Sequence, residues 1–397
     1  SMIRSINTFD IREKNILIRV DFNVPLDEKG LVEDNFRIRS ALPTIKHCLE
    51  LGASVILMSH LGRPGGKNNP ELSLVSVGEE LAELLEMPIK FSYDPISEDA
   101  LDTSLGLKPG EVHLLENLRF HPEEEANDYV FSSQLAKHGQ IYINDAFGTA
   151  HRAHASNVGV PAQFKHKGIG LLVDKEIEYL QRALKRPSRP VTLILGGAKI
   201  GSKLGLIESF LDKAETIIIG GGMAFTFLKA NGVNIGHSLL DETMVSTASR
   251  LMEKARQKNV QIELPVDVMC GANLSASSPL GPYHIHEMPS ELMGLDIGPK
   301  TIEKFTSLCA QSGTVVWNGP MGLFEINGFG TGTMKIAVAL ESLVEKGGTA
   351  IVGGGDSVSA VKKYGLSQGM SHVSTGGGAS LELLSGNTMP ALQILEQ

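Results

Sequence analysis

The sequence predicts an α/β protein of two Rossmann-like domains, each a mostly parallel sheet flanked by helices, joined by a helix and a hinge. Short aliphatic and β-branched runs bounded by turn residues alternate with amphipathic stretches along the chain, and this alternation is typical of parallel sheets covered by helices. A chain of 397 residues is also long for one domain and comfortable for two.

The apolar runs predict strands in both halves of the chain. In the first half they cover residues 15–22, 54–59, 112–115 and 140–144. In the second half they cover residues 191–195, 216–219, 261–265, 314–317 and 349–352. The amphipathic stretches at 76–86 and 242–258 predict helices between them.

A domain boundary is predicted near the middle of the chain. Residues 171–184 carry apolar side chains at helical spacing, and the prolines of KRPSRP at 185–190 end that pattern. We therefore expect a first domain over 1–170, a connecting helix over 171–186 and a second domain that starts at 187.

Composition excludes several classes of protein. The net charge of −9 argues against nucleic acid as a partner, because backbone binding needs a broad basic face. No apolar run approaches the ~20 residues that span a bilayer, so no membrane partner is expected. Cys48, Cys270 and Cys309 are far apart, and the N-terminus lacks a signal-like pattern, so we expect a cytoplasmic protein without disulfides.

Charged and hydrogen-bonding residues follow the strands of the first half, where ligands bind at the carboxyl edge of a parallel sheet. These residues are Asp21, Asn23, Arg37, His60, Arg63, Arg119 and Arg152. A single arginine would more often lie on the surface or in an ion pair. Four at comparable positions favour a site for a small anion, because the guanidinium fork suits phosphate and carboxylate.

Glycine clusters follow the strands of the second half, at 196–197, 220–222, 319–322, 353–355 and 376–378. Tight turns also need glycine, but clusters at successive strand ends favour close approach of the backbone to phosphates. Lys199 and Lys203 lie one helical turn apart and could both face those phosphates. Asp356 follows a triple glycine, where it could hold Mg²⁺ or cap a helix. Neither GxxxxGK(S/T) nor a GxGxxG turn after the first strand occurs.

Together these loops resemble the signature segments of the phosphoglycerate kinase family, in order and along essentially the whole chain. The segments are RVDFNVP (19–25), SHLGRP (59–64), ENLRF (116–120), NDAFGTAHRAHAS (144–156), GGAKIGSK (196–203), GGGMAFTFL (220–228), DIGP (296–299), NGPMGLFE (318–325), GGGDS (353–357) and STGGGASLELL (374–384). The resemblance implies reversible phosphoryl transfer between ATP and 3-phosphoglycerate, with Mg²⁺ accompanying the nucleotide, in a protein that is usually monomeric.

The resemblance also implies roles for individual residues. The 3-phosphoglycerate site would comprise Asp21, Asn23, Arg37, His60, Arg63, Arg119 and Arg152. The nucleotide site would comprise Lys203, Gly221, Asn318, Glu325, Gly354, Gly355, Asp356 and Ser357. Arg37, Lys199, Gly354 and Gly355 would act on the transferred group, and Asp356 would hold the metal. The second domain would end at 378, and a segment over 379–397 would return to the first.

A carboxylate acceptor ionises near pH ~4, so the reaction needs no general base. We therefore interpret His60 and His151 as substrate hydrogen bonders or structural residues. Ligands on separate domains imply hinge closure.

Two alternative functions remain. A two-domain nucleotide-binding oxidoreductase would need the missing GxGxxG turn. A non-catalytic nucleotide-binding protein would be expected to have lost Arg37 or Lys199, and both are present.

Overall fold

The computed structural model describes residues 2–397, and their contacts divide into two compact units. Unit 1 comprises the residues up to Glu178 together with Thr388–Gln397, and unit 2 comprises Tyr179–Asn387. Each unit contains one six-stranded sheet, so the predicted α/β fold class is confirmed. Within residues 2–397, no helix has both the length and the apolar character needed to cross a bilayer.

The sheet of unit 1 is parallel throughout, in the order β3-β4-β2-β1-β5-β6. Its strands are β1 (Asn15–Val20), β2 (Ser54–Met58), β3 (Lys90–Ser92), β4 (Val112–Leu115), β5 (Ile141–Asp145) and β6 (Lys167–Ile169). Ile18 pairs with Leu57 on one side and Ile143 on the other. All three residues are fully buried, as expected for central strands covered on both faces.

Helices cover this sheet and bury apolar side chains against it. They are α1 (Phe36–Glu50), α2 (Val75–Leu85), α3 (Glu98–Leu105), α4 (Pro122–Glu125), α5 (Tyr129–Ala136) and α6 (Leu171–Ile177). Val77 and Leu81 of α2 join Ile38 and Ile45 of α1 in one buried cluster with the strands. Burial of these side chains supplies the main drive for folding of the unit.

Unit 2 contains a second parallel six-stranded sheet, in the order β15-β14-β13-β7-β8-β9, and a three-stranded antiparallel sheet, in the order β11-β10-β12. Its strands are β7 (Val191–Leu195), β8 (Thr216–Ile219), β9 (Gln261–Glu263), β10 (Asp267–Gly271), β11 (Leu280–His284), β12 (Met293–Ile297), β13 (Thr314–Asn318), β14 (Thr349–Gly353) and β15 (His372–Val373). The small antiparallel sheet is an addition to the predicted arrangement.

The helices of unit 2 follow its strands. They are α7 (Leu204–Phe210), α8 (Ala224–Ala230), α9 (Val245–Gln257), α10 (Pro299–Ala310), α11 (Thr331–Glu345), α12 (Gly355–Lys363) and α13 (Gly378–Leu384). The buried side chain of Asp267, on β10, accepts hydrogen bonds from the backbone N–H groups of Lys300 and Thr301. A carboxylate placed there satisfies free donors at the start of α10.

The stretch expected to form one connecting helix is divided in the structure. α6 ends at Ile177, and a π-helical turn over Glu178–Arg182 follows it. The division between the two units falls at the start of that turn. The extra residue per turn in a π-helix interrupts the regular hydrogen-bond pattern that the apolar spacing predicts.

The chain returns to unit 1 at Thr388, later than the expected residue 379. α13 still packs on α7 in unit 2, where the Ser209 hydroxyl donates to the backbone oxygen of Leu384 at 3.4 Å. The final helix, α14 (Pro390–Gln393), belongs to unit 1. Its Ala391 N–H donates to the backbone oxygen of Ala150 at 3.1 Å.

Candidate active site

The carboxyl ends of β1 and β2 lie side by side, which brings several predicted anion-binding residues together. Arg37, in the first turn of α1, donates from Nη1 to the backbone oxygen of Asn23 at 2.8 Å, and this nitrogen lies 3.3 Å from Asp21 Oδ1. The Asn23 side-chain oxygen accepts from Gly62 N at 2.9 Å. The loops after β1 and β2 are thus held to each other by the polar groups that the sequence identifies.

Arg119 joins this edge from the turn that follows β4. Its side chain is only 6% exposed, and Nη1 lies 3.3 Å from the backbone oxygen of Gly62. Burial is the main cause that lowers the pKa of Arg119, but an arginine remains charged in a protein at neutral pH. Arg63 and Arg152 are exposed, so their guanidinium groups are available to a ligand.

Two histidines of this edge, His60 and His154, are poor bases. His60 is almost completely buried, and burial followed by the Arg19 charge lowers its pKa far below the usual range. Burial followed by the charge of Arg119 lowers the pKa of His154 to about 4. A general base works best with a pKa near the operating pH, so neither imidazole is suited to remove a proton at pH 7.

A buried charged group behind His60 was not predicted from the sequence. Arg19 on β1 and Glu124 on α4 are both fully buried, with Arg19 Nη2 3.9 Å from Glu124 Oε2. Ser156 lies between them and contacts both side chains. The sequence does contain a signal for this group, which is the arginine inside the apolar run NILIRV. A charge on a central strand requires a buried partner.

In unit 2, the loops after β7, β8 and β13 pass each other with no room for side chains. A Cβ atom on Gly196 would lie 2.0 Å from the backbone oxygen of Pro320, and one on Gly319 would lie 2.2 Å from the oxygen of Gly196. A Cβ on Gly221 would lie 2.6 Å from the nitrogen of Gly197. The close packing of these loops is therefore the main reason for glycine at these positions.

Beside these loops lies a polar cleft that brings together most residues of the predicted phosphate site. Its walls include Lys199, Lys203, Asn318, Gly354, Gly355, Asp356 and Ser357. Lys203 Nζ donates to the backbone oxygen of Asn318 at 3.1 Å and also contacts the side-chain oxygen of the same residue. Burial lowers the pKa of Lys203 to about 8, and the Asp356 charge opposes that shift.

The N-terminus of α12 opens into the same cleft. Gly354 precedes the helix with a φ of 93°, a left-handed conformation that favours glycine. Ser357 is fully buried, and its hydroxyl accepts from Gly319 N at 2.5 Å. The helix α12 has nine residues, and the backbone N–H groups of its first turn have no partner within the helix. The first turn of α12 is therefore suited to bind an anion.

An apolar pocket adjoins the polar cleft and contains the two remaining predicted nucleotide residues, Gly221 and Glu325. Gly197, Ala198, Pro320 and Asp356 line both spaces. Apolar walls come from Phe225, Leu239, Val268, Leu274 and Leu323. A flat apolar group with a polar, anionic tail fits this pair of spaces.

Asp296 also lines the apolar pocket, although the sequence reasoning gave it no role there. Its two carboxylate oxygens accept from Ile297 N at 2.9 Å and Gly332 N at 3.0 Å. Burial raises its pKa to about 7. Both oxygens are engaged near the start of α11, so Asp296 supports the pocket wall.

The cleft fits a magnesium ion that arrives with a nucleotide. Within residues 2–397, His, Cys, Asp and Glu side chains form no group of three or more that could hold a metal. Asp356 is exposed to the cleft, and Mg²⁺ is usually bound by one or two carboxylates, substrate phosphates and water. Asp356 would therefore share the ion with the phosphates.

Comparisons with known proteins agree over the whole chain. A family model described as phosphoglycerate kinase matches residues 6–387. The phosphoglycerate kinase of Prosthecochloris aestuarii is 49% identical over 392 residues, covering 99% of both chains. That of Synechococcus elongatus is 48% identical over 394 residues, covering 99% of this chain and 98% of the relative.

Solved structures give the same result. The phosphoglycerate kinase of Coxiella burnetii superposes with a TM-score of 0.91 at 40% identity, covering 99% of each chain. That of Pyrococcus horikoshii superposes with a TM-score of 0.81 at 29% identity, covering 99% of this chain and 98% of the other.

Proposed function

Because the chain belongs to the phosphoglycerate kinase family, and so transfers a phosphoryl group between ATP and 3-phosphoglycerate, we propose that its two sheet edges divide the substrates. The arginine-rich edge of unit 1 binds 3-phosphoglycerate, and the glycine-rich edge of unit 2 binds ATP or ADP. The observation that carries this division is the polar cleft of unit 2, where Lys203 and the start of α12 meet beside an apolar pocket.

On the acceptor side, the arginines bind the two anionic groups of 3-phosphoglycerate. Arg63, Arg119 and Arg152 supply charge and paired N–H donors, which suit phosphate. Asp21 and the Asn23 backbone hold Arg37 in place, and Asn23 and His60 complete the site. Arg37, only partly exposed in its pair with Asp21, also reaches the transferred phosphoryl group.

On the donor side, Lys203 and the α12 N-terminus bind the nucleotide phosphates, and the apolar pocket receives the base. Gly221, Asn318 and Ser357 shape the walls, while Glu325 contacts the ribose. Asp356 would hold Mg²⁺, which would neutralise charge on the phosphates. Lys199, exposed at the rim, steadies the group in transit.

The chemistry requires stabilisation of charge and no general base. The acceptor carboxylate is already ionised at pH 7, and the lowered pKa values of His60 and His154 are consistent with that. Arg37, Lys199 and the N–H groups near Gly354 and Gly355 stabilise the charge that spreads over the transferring oxygens. Reacting atoms must approach to ~3–3.5 Å, so we propose a hinge movement that brings the substrates together and excludes water.

The test is ATP consumption with 3-phosphoglycerate, coupled to reduction of the 1,3-bisphosphoglycerate formed. Arg37→Met is expected to raise KM for 3-phosphoglycerate and to lower kcat about a hundredfold, in keeping with loss of one charge-stabilising donor. Arg39→Met is the matched control, because Arg39 lies on the same helix and donates to Asn35 at 2.8 Å. Equal activity of the two variants would contradict the role of Arg37.

Ligand-binding measurements beside this assay separate the alternatives. Binding of a nicotinamide cofactor without ADP would favour an oxidoreductase, and nucleotide binding without turnover would favour a non-catalytic protein.

We further propose that the protein acts as a monomer in the cytoplasm. Light scattering should then give a mass near 42.6 kDa, and a doubled mass would contradict the monomer.

A further inference from the structure

Arg19 has no access to solvent, and its donors are engaged inside unit 1. Nε donates to the Ser156 hydroxyl at 2.8 Å, and Nη1 donates to the backbone oxygen of Val20 at 2.5 Å. Because its side chain is fully buried, Arg19 cannot touch a bound substrate. Any influence on the reaction must pass through a neighbouring residue.

The charge of Arg19 is compensated within the same buried group. Glu124 Oε2 lies 3.9 Å from Arg19 Nη2 and accepts from the Ser156 hydroxyl at 2.6 Å. Glu124 Oε1 accepts from Ser156 N at 2.8 Å. Tyr142 donates to the backbone oxygen of Ser156 at 2.8 Å. These contacts hold the Arg19 guanidinium beside Ser156 and Glu124, and polar groups linked in a buried network of this kind are rigidified.

The remaining contact of Arg19 is with His60, which stands on the substrate edge. Arg19 Nη2 lies 3.0 Å from His60 Nδ1. A guanidinium has only donors, so Nδ1 must offer its lone pair. A neutral imidazole carries one N–H, and that proton is then on Nε2. Nδ1 is therefore engaged by Arg19, and the Nε2 proton is the donor that the ring can offer to a ligand.

The charges around His60 keep its ring neutral. Arg19 on β1, Arg37 on α1, Arg119 after β4 and His154 all lower the pKa of His60, after burial itself. The nearby carboxylate of Glu124 is occupied by Ser156. A second proton on the ring would place an N–H on Nδ1, directly against a donor of Arg19.

We propose that Arg19 is a positioning residue that fixes His60 in the Nε2–H tautomer, so that His60 presents one hydrogen-bond donor to an anionic oxygen of 3-phosphoglycerate. This inference rests on the proposed function, because it takes the carboxyl edge of unit 1 as the acceptor site. The ring proton of His60 then has a fixed position on Nε2. Arg19, which does not contact the substrate, is the cause of that position.

The first test is nitrogen NMR of the ligand-free full chain at pH 7, labelled at histidine, with His60→Gln used to assign the His60 signals. The expected spectrum shows an unprotonated Nδ1 and a protonated Nε2. A protonated Nδ1, or an imidazolium with both nitrogens protonated, would overturn the inference. This measurement needs no variant of the buried group itself and therefore does not depend on how such a variant folds.

The second test removes the guanidinium without leaving a lone buried charge. Arg19→Met is combined with Glu124→Gln, and Glu124→Gln alone is the control. The double variant is expected to show both tautomers of His60, while the control and Arg19→Lys, which retains a donor, keep the Nε2–H form. If the double variant folds and keeps Nε2–H alone, Arg19 does not select the tautomer and the inference fails.

Steady-state kinetics provide the functional outcome. A fall of the competent His60 population to about one half would raise KM for 3-phosphoglycerate about twofold, with kcat nearly unchanged. In a His60→Gln background, the added Arg19→Met/Glu124→Gln change should leave KM unaltered, because an amide has no tautomers to select. A KM increase of the same size in that background would indicate general structural damage and overturn the positioning role.

Titration with 3-phosphoglycerate separates this inference from the proposed function. Binding at the arginine-rich edge predicts a shift of the His60 Nε2 signal and no change in its tautomer. A ligand-free Nε2–H spectrum without any shift would leave the Arg19 contact in place and refute the substrate site. A shift accompanied by a change to Nδ1–H would support the site and refute the fixed tautomer.

Discussion

The side-chain nitrogen of Lys203 lies 3.1 Å from the backbone oxygen of Asn318, the last residue of β13. The contact anchors a cation from the start of α7 at the carboxyl edge of the sheet. Its environment lowers the pKa of Lys203 to about 8, since burial disfavours the charged form. Lys203 therefore begins to lose its proton in a pH range that experiments can reach.

We predict that ADP binding above about pH 8 takes up a proton. Nucleotide phosphates favour charged Lys203 and raise its pKa, whereas below pH 8 the lysine is already protonated in the free protein. Affinity should accordingly fall as pH rises through about 8. Calorimetry in two buffers of different ionisation enthalpy measures the uptake. Lys203→Arg stays charged and should show none, and a buffer-independent enthalpy for the native chain would refute the prediction.

Lys199→Met should separate transfer from binding. Lys199 is exposed at the rim of the cleft, so its removal should spare ADP affinity within about threefold. A donor that acts on charge in the transition state contributes about 10²–10³ in kcat, and a loss of that size is expected. Lys229→Met, at an exposed lysine at the end of α8, is the control. An unchanged kcat for Lys199→Met would exclude the proposed role.

Neighbouring glycines provide a matched comparison of stability. A Cβ on Gly354 would lie 3.0 Å from Asn318 Nδ2 at a φ of 93°, and forcing a side chain into that region costs about 1–2 kcal/mol. A Cβ on Gly355 would meet nothing within 4 Å. Gly354→Ala should lower the free energy of unfolding by that amount in urea titrations, and Gly355→Ala by less than about 0.5 kcal/mol. Equal effects of the two substitutions would show that an alanine at position 354 adopts this φ angle without strain.

Hinge closure predicts a change of size in solution. Small-angle scattering should give a smaller radius of gyration with 3-phosphoglycerate and nucleotide together than with either alone, because only the pair must be brought to reacting distance. The single-ligand samples are the controls. A radius that stays constant across all samples would count against closure.

Periodicity and turn chemistry were sufficient to predict four strands of the first parallel sheet and five of the second, because these strands are short apolar runs bounded by turn residues. They missed β3, β6 and β15, which have only two or three residues each and are too short to show a pattern. They also missed the three strands of the antiparallel sheet, among them β11, whose residues Leu280–His284 are mostly exposed and include glycine and proline. β11 is held by pairing with β10. Nonlocal pairing of this kind overrides weak local preference.

Many polar residues of the candidate site could be predicted from the sequence, while the apolar walls of its pocket and the residues that support it could not. Lys203 and Asp356 lie in glycine-rich segments, whose position after strands indicates a ligand. Arg19 and Glu124 are separated by about a quarter of the chain, and only the fold places them together. Asp296 shows the same limitation, since its partner Gly332 N belongs to another element.

The return of residues 388–397 to unit 1 imposes an order on biosynthesis. Because a ribosome makes the chain from its N-terminus, every residue of unit 2 has been added before Ala391 can reach Ala150. Unit 2 is a continuous stretch and can complete its contacts as it emerges. Unit 1 is made first, but it cannot complete its contacts until its last helix, α14, has been made. A released chain that ended just before Thr388 would therefore contain all of unit 2 but only part of unit 1.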